Sequence, residues 1–158
     1  MSNPPTVSIF FPATVRERVI EQHQTLRQLL QQSLHATTRA FQAEGPTRDE
    51  VSRLVYDLRS RFWAHLAFEE RNLAPVLAHL DLWGPERVQD LFAEHNRQRA
   101  QLETIVEGIE NGWDVERIAL ALRSLATDLL LDMAEEERGC VSADLLQDQV
   151  MIVGSVHD

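Results

Sequence analysis

The sequence predicts an all-α fold: an antiparallel up-down-up-down four-helix bundle with an extended N-terminal arm and a short C-terminal tail. Three observations carry this expectation. Four long stretches repeat apolar residues at three- and four-residue steps, the period of a helix with one buried face. The connections between them are short and rich in Gly, Pro and Asn, which favours antiparallel neighbours. With 158 residues and 44% hydrophobic side chains, the chain can bury one full core. The layout read from these signals is an arm over 1–13, a bundle over 14–146 and a tail over 147–158.

The arm holds Pro4, Pro5 and Pro12 around Val7-Ser8-Ile9-Phe10-Phe11. It is too apolar to hang free and is expected to pack on the bundle or on another subunit. The first helix runs from Thr14 to about Ala43, with Val19, His23, Leu26, Leu30 and Leu34 on one face, and Gly45-Pro46 ends it. Thr47 with Glu50 three residues later makes a capping box for the second helix. That helix is read to about His79, its inner face carrying Val51, Val55, Leu58, Phe62, His65, Glu69 and Val76. Pro75 lacks an N–H and should bend or end it. Gly84-Pro85 opens the third helix, whose stripe is Val88, Leu91, His95, Leu102, Ile105 and Ile109, and Asn111-Gly112 stops it. Asp114 is the expected N-cap of the fourth helix. Its stripe of Val115, Ile118, Leu122, Leu125 and Leu129 continues into Asp132 and Glu136. Gly139 loosens its end, Ser142 to Leu146 add a short turn, and Val150-Met151-Ile152-Val153 is β-prone.

Composition narrows the function classes. The formal net charge is -10, and all 15 basic residues are Arg. This excludes a general nucleic-acid binder or an anionic-membrane binder, although a local Arg patch remains able to hold an anion. The single cysteine, Cys140, rules out an intrachain disulfide. Met1 to Pro12 lacks a basic segment followed by a long apolar core, so no secretory signal is read, and no apolar run suits a membrane span. A cytoplasmic protein is expected.

The chemistry lies on the inner stripes. His65 and Glu69 are four apart and share a helix face with Leu58, Phe62 and Val76. A carboxylate among oily side chains is costly without a partner, and a metal ion is a strong candidate for that partner. The other helices bring ligands to the same depth. Counting from Gly45, His23 lies 22 residues back, and His65 and Glu69 lie 20 and 24 residues on. At ~1.5 Å rise per residue these heights agree within about one turn. Similar counts about Trp83 and Gly112 level Glu69 with His95 and, more loosely, His95 with Asp132 and Glu136. Imidazole and carboxylate together suit iron, manganese or zinc. Bridging carboxylates on opposite helices favour two ions. Without metal, three carboxylates in one core would repel and raise their pKa values.

Taken singly, these residues have blander explanations. His65 alone would pass for a hydrogen-bonded core histidine, and His65 with Glu69 for a structural pair. Only the whole set of His23, His65, Glu69, His95, Asp132 and Glu136 makes metal the better account. Glu70, Glu135 and Glu137 read as solvated surface charges, with Glu137 a ligand only if its helix is rotated. His35, His79 and His157 read as surface residues, Cys140 as a small buried filler, and Trp63, Trp83 and Trp113 as packing or loop anchors. The Glu-x-x-His pattern of ferritin-like di-iron bundles is absent, because Phe62 and Phe92 stand three residues before His65 and His95.

There is an internal echo. His65-Leu66-Ala67-Phe68-Glu69-Glu70-Arg71 aligns with Asp132-Met133-Ala134-Glu135-Glu136-Glu137-Arg138, as though two helix pairs each began with a His-bearing helix. With Glu21-Gln22-His23-Gln24-Thr25-Leu26-Arg27, the His65-to-Pro75 stretch and Glu94-His95, the chain resembles the hemerythrin-like (HHE cation-binding) family over roughly residues 14–146. The resemblance implies a four-helix bundle with a non-heme di-iron centre, two iron ions held by His and Glu with bridging carboxylates. It implies ligand roles for His23, His65, Glu69, His95 and Glu136. It also implies oxygen binding, oxygen or iron sensing, or handling of peroxide or nitric oxide. Manganese or zinc in place of iron stays open. Asp132 departs from the family pattern, standing where a second His is expected, and Arg99 stands one turn from His95 where oxygen carriers place another His. More anionic ligands stabilise oxidised iron, so a diferric centre that is a poor reversible oxygen carrier is expected.

Two readings from other classes stay beside this one. One is a metal-free or structurally metallated bundle acting as an interaction or regulatory module, its terminal segments binding a partner or forming a homodimer. The other is a zinc- or manganese-assisted hydrolase, for which neither a base beside the ligands nor a substrate groove can be read.

Overall fold

The computed structural model describes residues 6–154; Pro4, Pro5 and His157, read above as parts of the arm and tail, lie outside them. The fold is all-α, with 75% of the described residues helical. Strand β1 (Val7–Phe10) leads into α1 (Pro12–Arg39). Next comes α2 (Arg48–Phe68), a single π-helical turn over Glu69–Leu73, and α3 (Ala74–Leu80). Then follow α4 (Gly84–Glu110), α5 (Val115–Arg138) and strand β2 (Met151–Gly154). Rod α1 packs on α2 and α5, and α4 packs on α2, α3 and α5. Among the described residues, no helix is long and apolar enough to cross a membrane.

Local chemistry explains the helix starts. Pro12 sits in the first turn of α1, where its fixed φ is suitable and its missing N–H is not needed, so α1 begins earlier than the Thr14 expected. The capping box at α2 is complete: Thr47 Oγ1 accepts from the Glu50 N–H at 3.2 Å, and the Thr47 N–H donates to Glu50 Oε2 at 2.9 Å. Asp114 Oδ1 accepts from the Arg117 N–H at 2.8 Å and caps α5. After α5 the chain turns through Ser142–Leu146, where the Leu146 N–H reaches Ser142 O at 2.9 Å.

The second rod differs from the sequence expectation in an informative way. Pro75 does not end it. The Ala74 N–H instead donates five residues back, to Glu69 O. This wider turn takes up one extra residue before the proline, so the rod continues into α3. The π turn begins at Glu69, the carboxylate at the centre of the candidate site.

The interior forms two apolar clusters. One gathers Leu26, Leu30, Leu58, Phe62, Leu66, Leu102, Leu122, Leu129 and Met133. The other gathers Val19, Leu73, Val76, Leu77, Leu91, Val141 and Leu146, with Phe10 and Met151 packed against it. Along every rod the polar inner residue falls between members of the two clusters: His23 between Val19 and Leu26, Glu69 between Leu66 and Leu73, His95 between Leu91 and Leu102, Glu136 between Met133 and Val141. The polar residues therefore form a layer sealed by oil on both sides.

The arm and the tail meet each other. Strands β1 and β2 pair antiparallel, with Val7 opposite Gly154 and Phe10 opposite Met151. Ile9 and Ile152 pair on the outer face and are largely exposed. The pairing was not legible from either segment alone, since each reads only as a short apolar run.

Candidate metal centre

His23 and Glu69 are fully buried, and His65 and His95 nearly so. All of them are polar or charged, and in an apolar bundle each needs a partner. The arrangement of the imidazoles is consistent: every Nδ1 faces outward to an oxygen acceptor and every Nε2 faces the centre. His23 Nδ1–H donates to Glu137 Oε1 at 2.9 Å, His95 Nδ1–H to Glu70 Oε1 at 2.9 Å, and His65 Nδ1–H to Gln22 Oε1 at 2.8 Å. An outer acceptor of this kind fixes the ring and leaves the inner nitrogen as a donor atom for a metal.

The inner atoms converge on two carboxylates. Glu69 Oε1 lies 3.1 Å from His65 Nε2 and 3.7 Å from His23 Nε2, and Glu136 Oε1 lies 3.4 Å from His23 Nε2. One donor atom from each of His23, His65, Glu69 and Glu136 falls within 4.8 Å of all the others. That spread is about twice a metal–ligand bond of 2.0–2.3 Å, so one ion fits among them. The second oxygen of Glu69 points elsewhere, to His95 Nε2 at 2.8 Å. Glu69 thus straddles two positions, one facing His23, His65 and Glu136, the other facing His95.

Hydrogen bonding supports a cation here. Among the described residues, four buried side-chain atoms lack a hydrogen-bond partner, and three of them are His23 Nε2, Glu69 Oε1 and Glu136 Oε1. Buried polar atoms are rarely left unsatisfied, and three facing one another form a set that a cation would satisfy.

The same geometry sets the proton affinities of these groups. Burial alone would lower the His23 pKa, but its contacts with Glu136, Glu69 and Glu137 outweigh this and raise it to about 10. His95 is likewise penalised by burial yet raised by Glu69 and Glu70. Burial would raise Glu69, but the three imidazoles hold it well below the ordinary carboxylate range. Glu136 goes the other way, pushed well above that range by burial and by the charge of Glu69. A cation would compete with protons for these same donor atoms.

Asp132 is not among the converging groups. Its Oδ2 accepts from Arg97 Nη2 at 2.9 Å and from Gln98 Nε2 at 3.0 Å, at the edge of the centre. Gln98 Nε2 also reaches Glu94 Oε1 at 3.1 Å. Met133, one position on, takes the buried seam instead. Glu70 and Glu137 are also placed differently from the solvated charges expected. Their side chains are only 21% and 24% exposed, and they hold His95 and His23. Gln22, the outer partner of His65, had no role in the sequence reading. One signal pointed to the two glutamates: each ends a Glu-Glu doublet in the internal echo. Glu135, His35 and His79 are exposed as expected, Cys140 is partly buried, and Trp83 lies largely in solvent.

Such a centre defines a class, a helical protein whose bundle core is built to bind cations. A scan against known protein families makes this specific: residues 14–142 match the hemerythrin HHE cation-binding domain, and the chain belongs to that family. Comparisons with curated proteins and with solved structures returned no match.

Proposed function

We propose that this protein is a non-heme di-iron protein of hemerythrin type, an up-down-up-down antiparallel bundle that senses or handles oxygen, peroxide or nitric oxide. The observation that carries the reading is the set of three inward Nε2 atoms around Glu69, whose two oxygens face different histidines. One ion would be held by His23, His65, Glu69 and Glu136. A second would take His95 and the other oxygen of Glu69. Bound iron would supply one-electron redox chemistry and an attachment point for a small diatomic or peroxide ligand. The protein's part would be to orient the donors, to present the two oxygens of Glu69 in different directions and to keep bulk water out with the two apolar clusters. Asp132, already paired with Arg97, leaves the expected preference for oxidised iron resting on Glu69 and Glu136.

The deciding experiment is elemental analysis of protein purified without chelator, together with its absorption spectrum. About two iron atoms per chain and near-ultraviolet ferric charge-transfer bands support the proposal. A colourless, fully folded protein with no metal overturns it. Zinc or manganese at similar stoichiometry would keep the site and replace the chemistry.

A second reading has its own observation. Val7, Ile9, Phe11, Val150 and Ile152 expose apolar side chains on and beside the terminal ribbon. A partner-binding or homodimerising surface there would make the protein an interaction module, with the centre structural. The acidic balance of -10 makes nucleic acid and anionic membrane poor partners in either case.

A further inference from the structure

The three imidazoles are not held alike. His23 gives its outer proton to Glu137, and Arg27 grips that carboxylate with Nη1 on Oε1 at 2.8 Å and Nη2 on Oε2 at 2.7 Å. His95 gives its outer proton to Glu70, and Arg99 Nη1 holds the same oxygen at 2.7 Å. The two assemblies repeat one design. The arginine lies four residues after its histidine, and the glutamate follows directly on Glu136 or Glu69. Each histidine is held by the doublet of the opposite half, so the halves are strapped across the centre. His65 breaks the pattern. Its outer partner is the neutral amide of Gln22, and behind it opens a cleft of about 240 Å³ lined by Gln22, Arg61, Ala64 and His65.

The electronic consequence is direct. An imidazole that donates to an anion carries more electron density on its inner nitrogen than one that donates to an amide. The arginines grip each glutamate and aim it at its histidine. We infer that Glu137 with Arg27 and Glu70 with Arg99 are positioning pairs that make His23 and His95 the retaining metal ligands, and that His65 is the weak ligand, open to displacement from the cleft side. This rests on the metal-binding reading above and adds to it a ranking of the ligands.

The test uses metal-free full-length protein titrated with Co(II), read by ligand-field absorption and by competition with a chelator. Glu137→Gln and Glu70→Gln keep an acceptor and lose the charge; each is expected to weaken binding about 10–100-fold and to shift the Co(II) bands. Arg27→Gln and Arg99→Gln change only partly exposed side chains and leave the folded core intact. They are expected to weaken binding by a smaller factor in the same direction. Gln22→Glu is expected to tighten binding, a gain that loss of packing cannot produce. Wild-type protein that binds Co(II), with all these variants within twofold of it and spectrally unchanged, overturns the ranking and leaves the metal reading standing. Wild-type protein that binds no Co(II) overturns both.

Discussion

At the scale of single residues, Glu69 is the group on which the others depend. It is fully buried and faces three imidazoles, one of them through its second oxygen. Glu69→Gln removes the charge that faces all three imidazoles, and metal affinity is expected to fall by more than the ~10–100-fold typical of outer partners, measured by chelator competition. The burial and pairing of these groups add a pH dependence. The folded-state pKa of His23 is raised to about 10 and that of Glu136 is raised well above its ordinary value. A group raised on folding stabilises the protein below its unfolded pKa and loses that contribution as pH rises through the folded value. The ion-free protein is therefore expected to lose melting temperature as pH rises, from near pH 4.5 through Glu136 and between about pH 6.5 and about pH 10 through His23. A cation must displace these protons, so its affinity should rise over the same interval, with proton release visible by calorimetry in buffers of different ionisation enthalpy. A melting temperature that climbs over this range in ion-free protein would contradict the assignment. The residue scale also shows which groups were legible in the sequence. His23, His65, Glu69, His95 and Glu136 stood out because they interrupt oily stripes, and folding brings them together. Asp132 stood out for the same reason, but steps of three and four both land near a buried face, and Met133 competes better for the interior. Gln22, Glu70 and Glu137 sit beside inward residues and look like ordinary surface chemistry until the opposite helix is in place.

At the scale of elements, the caps and stops were written locally and could be read locally. Thr47 and Glu50, Asp114, and Gly112 with its φ of 82° all act on their immediate neighbours. The π turn was not readable, because its cause is a compromise between Pro75 and the packing of Leu73, Val76 and Leu77 against the rest of the molecule. A further element-level contact joins the end of α4 to the loop before α5. The Trp113 indole lies directly on Gly108, so even a methyl group there would run into the ring. The Arg117 guanidinium covers the same ring, 4.2 Å from its centre. Gly108→Ala is expected to cost about 1–3 kcal/mol, measured by denaturant unfolding, with metal content unchanged because the contact is remote from the centre. Unchanged stability would show that the loop yields freely.

At the scale of the whole molecule, the polar layer divides the core into two apolar clusters, and a bound ion would join them. Stability should then depend on metal to a degree unusual for a helical domain of this size. An ion present at about 100 times its Kd adds roughly 2.7 kcal/mol. Stripping it should lower the melting temperature by about 5–10 °C, reversibly on metal return; no change on stripping would count against an ion in the core. The all-α class was legible because four stripes of helical period leave little else the chain can do. The closure of arm on tail was not, since two short apolar strands far apart in sequence carry no mark of each other. That closure has a mechanical side. Val7 and Gly154 face each other at the open end of the ribbon, with Phe10 and Met151 at the inner end. Tension applied to the two ends of the chain would peel this ribbon apart one rung at a time, at low force. Only after the last rung parts would the load pass to α1 and α5, and through His23 and Glu136 to the centre.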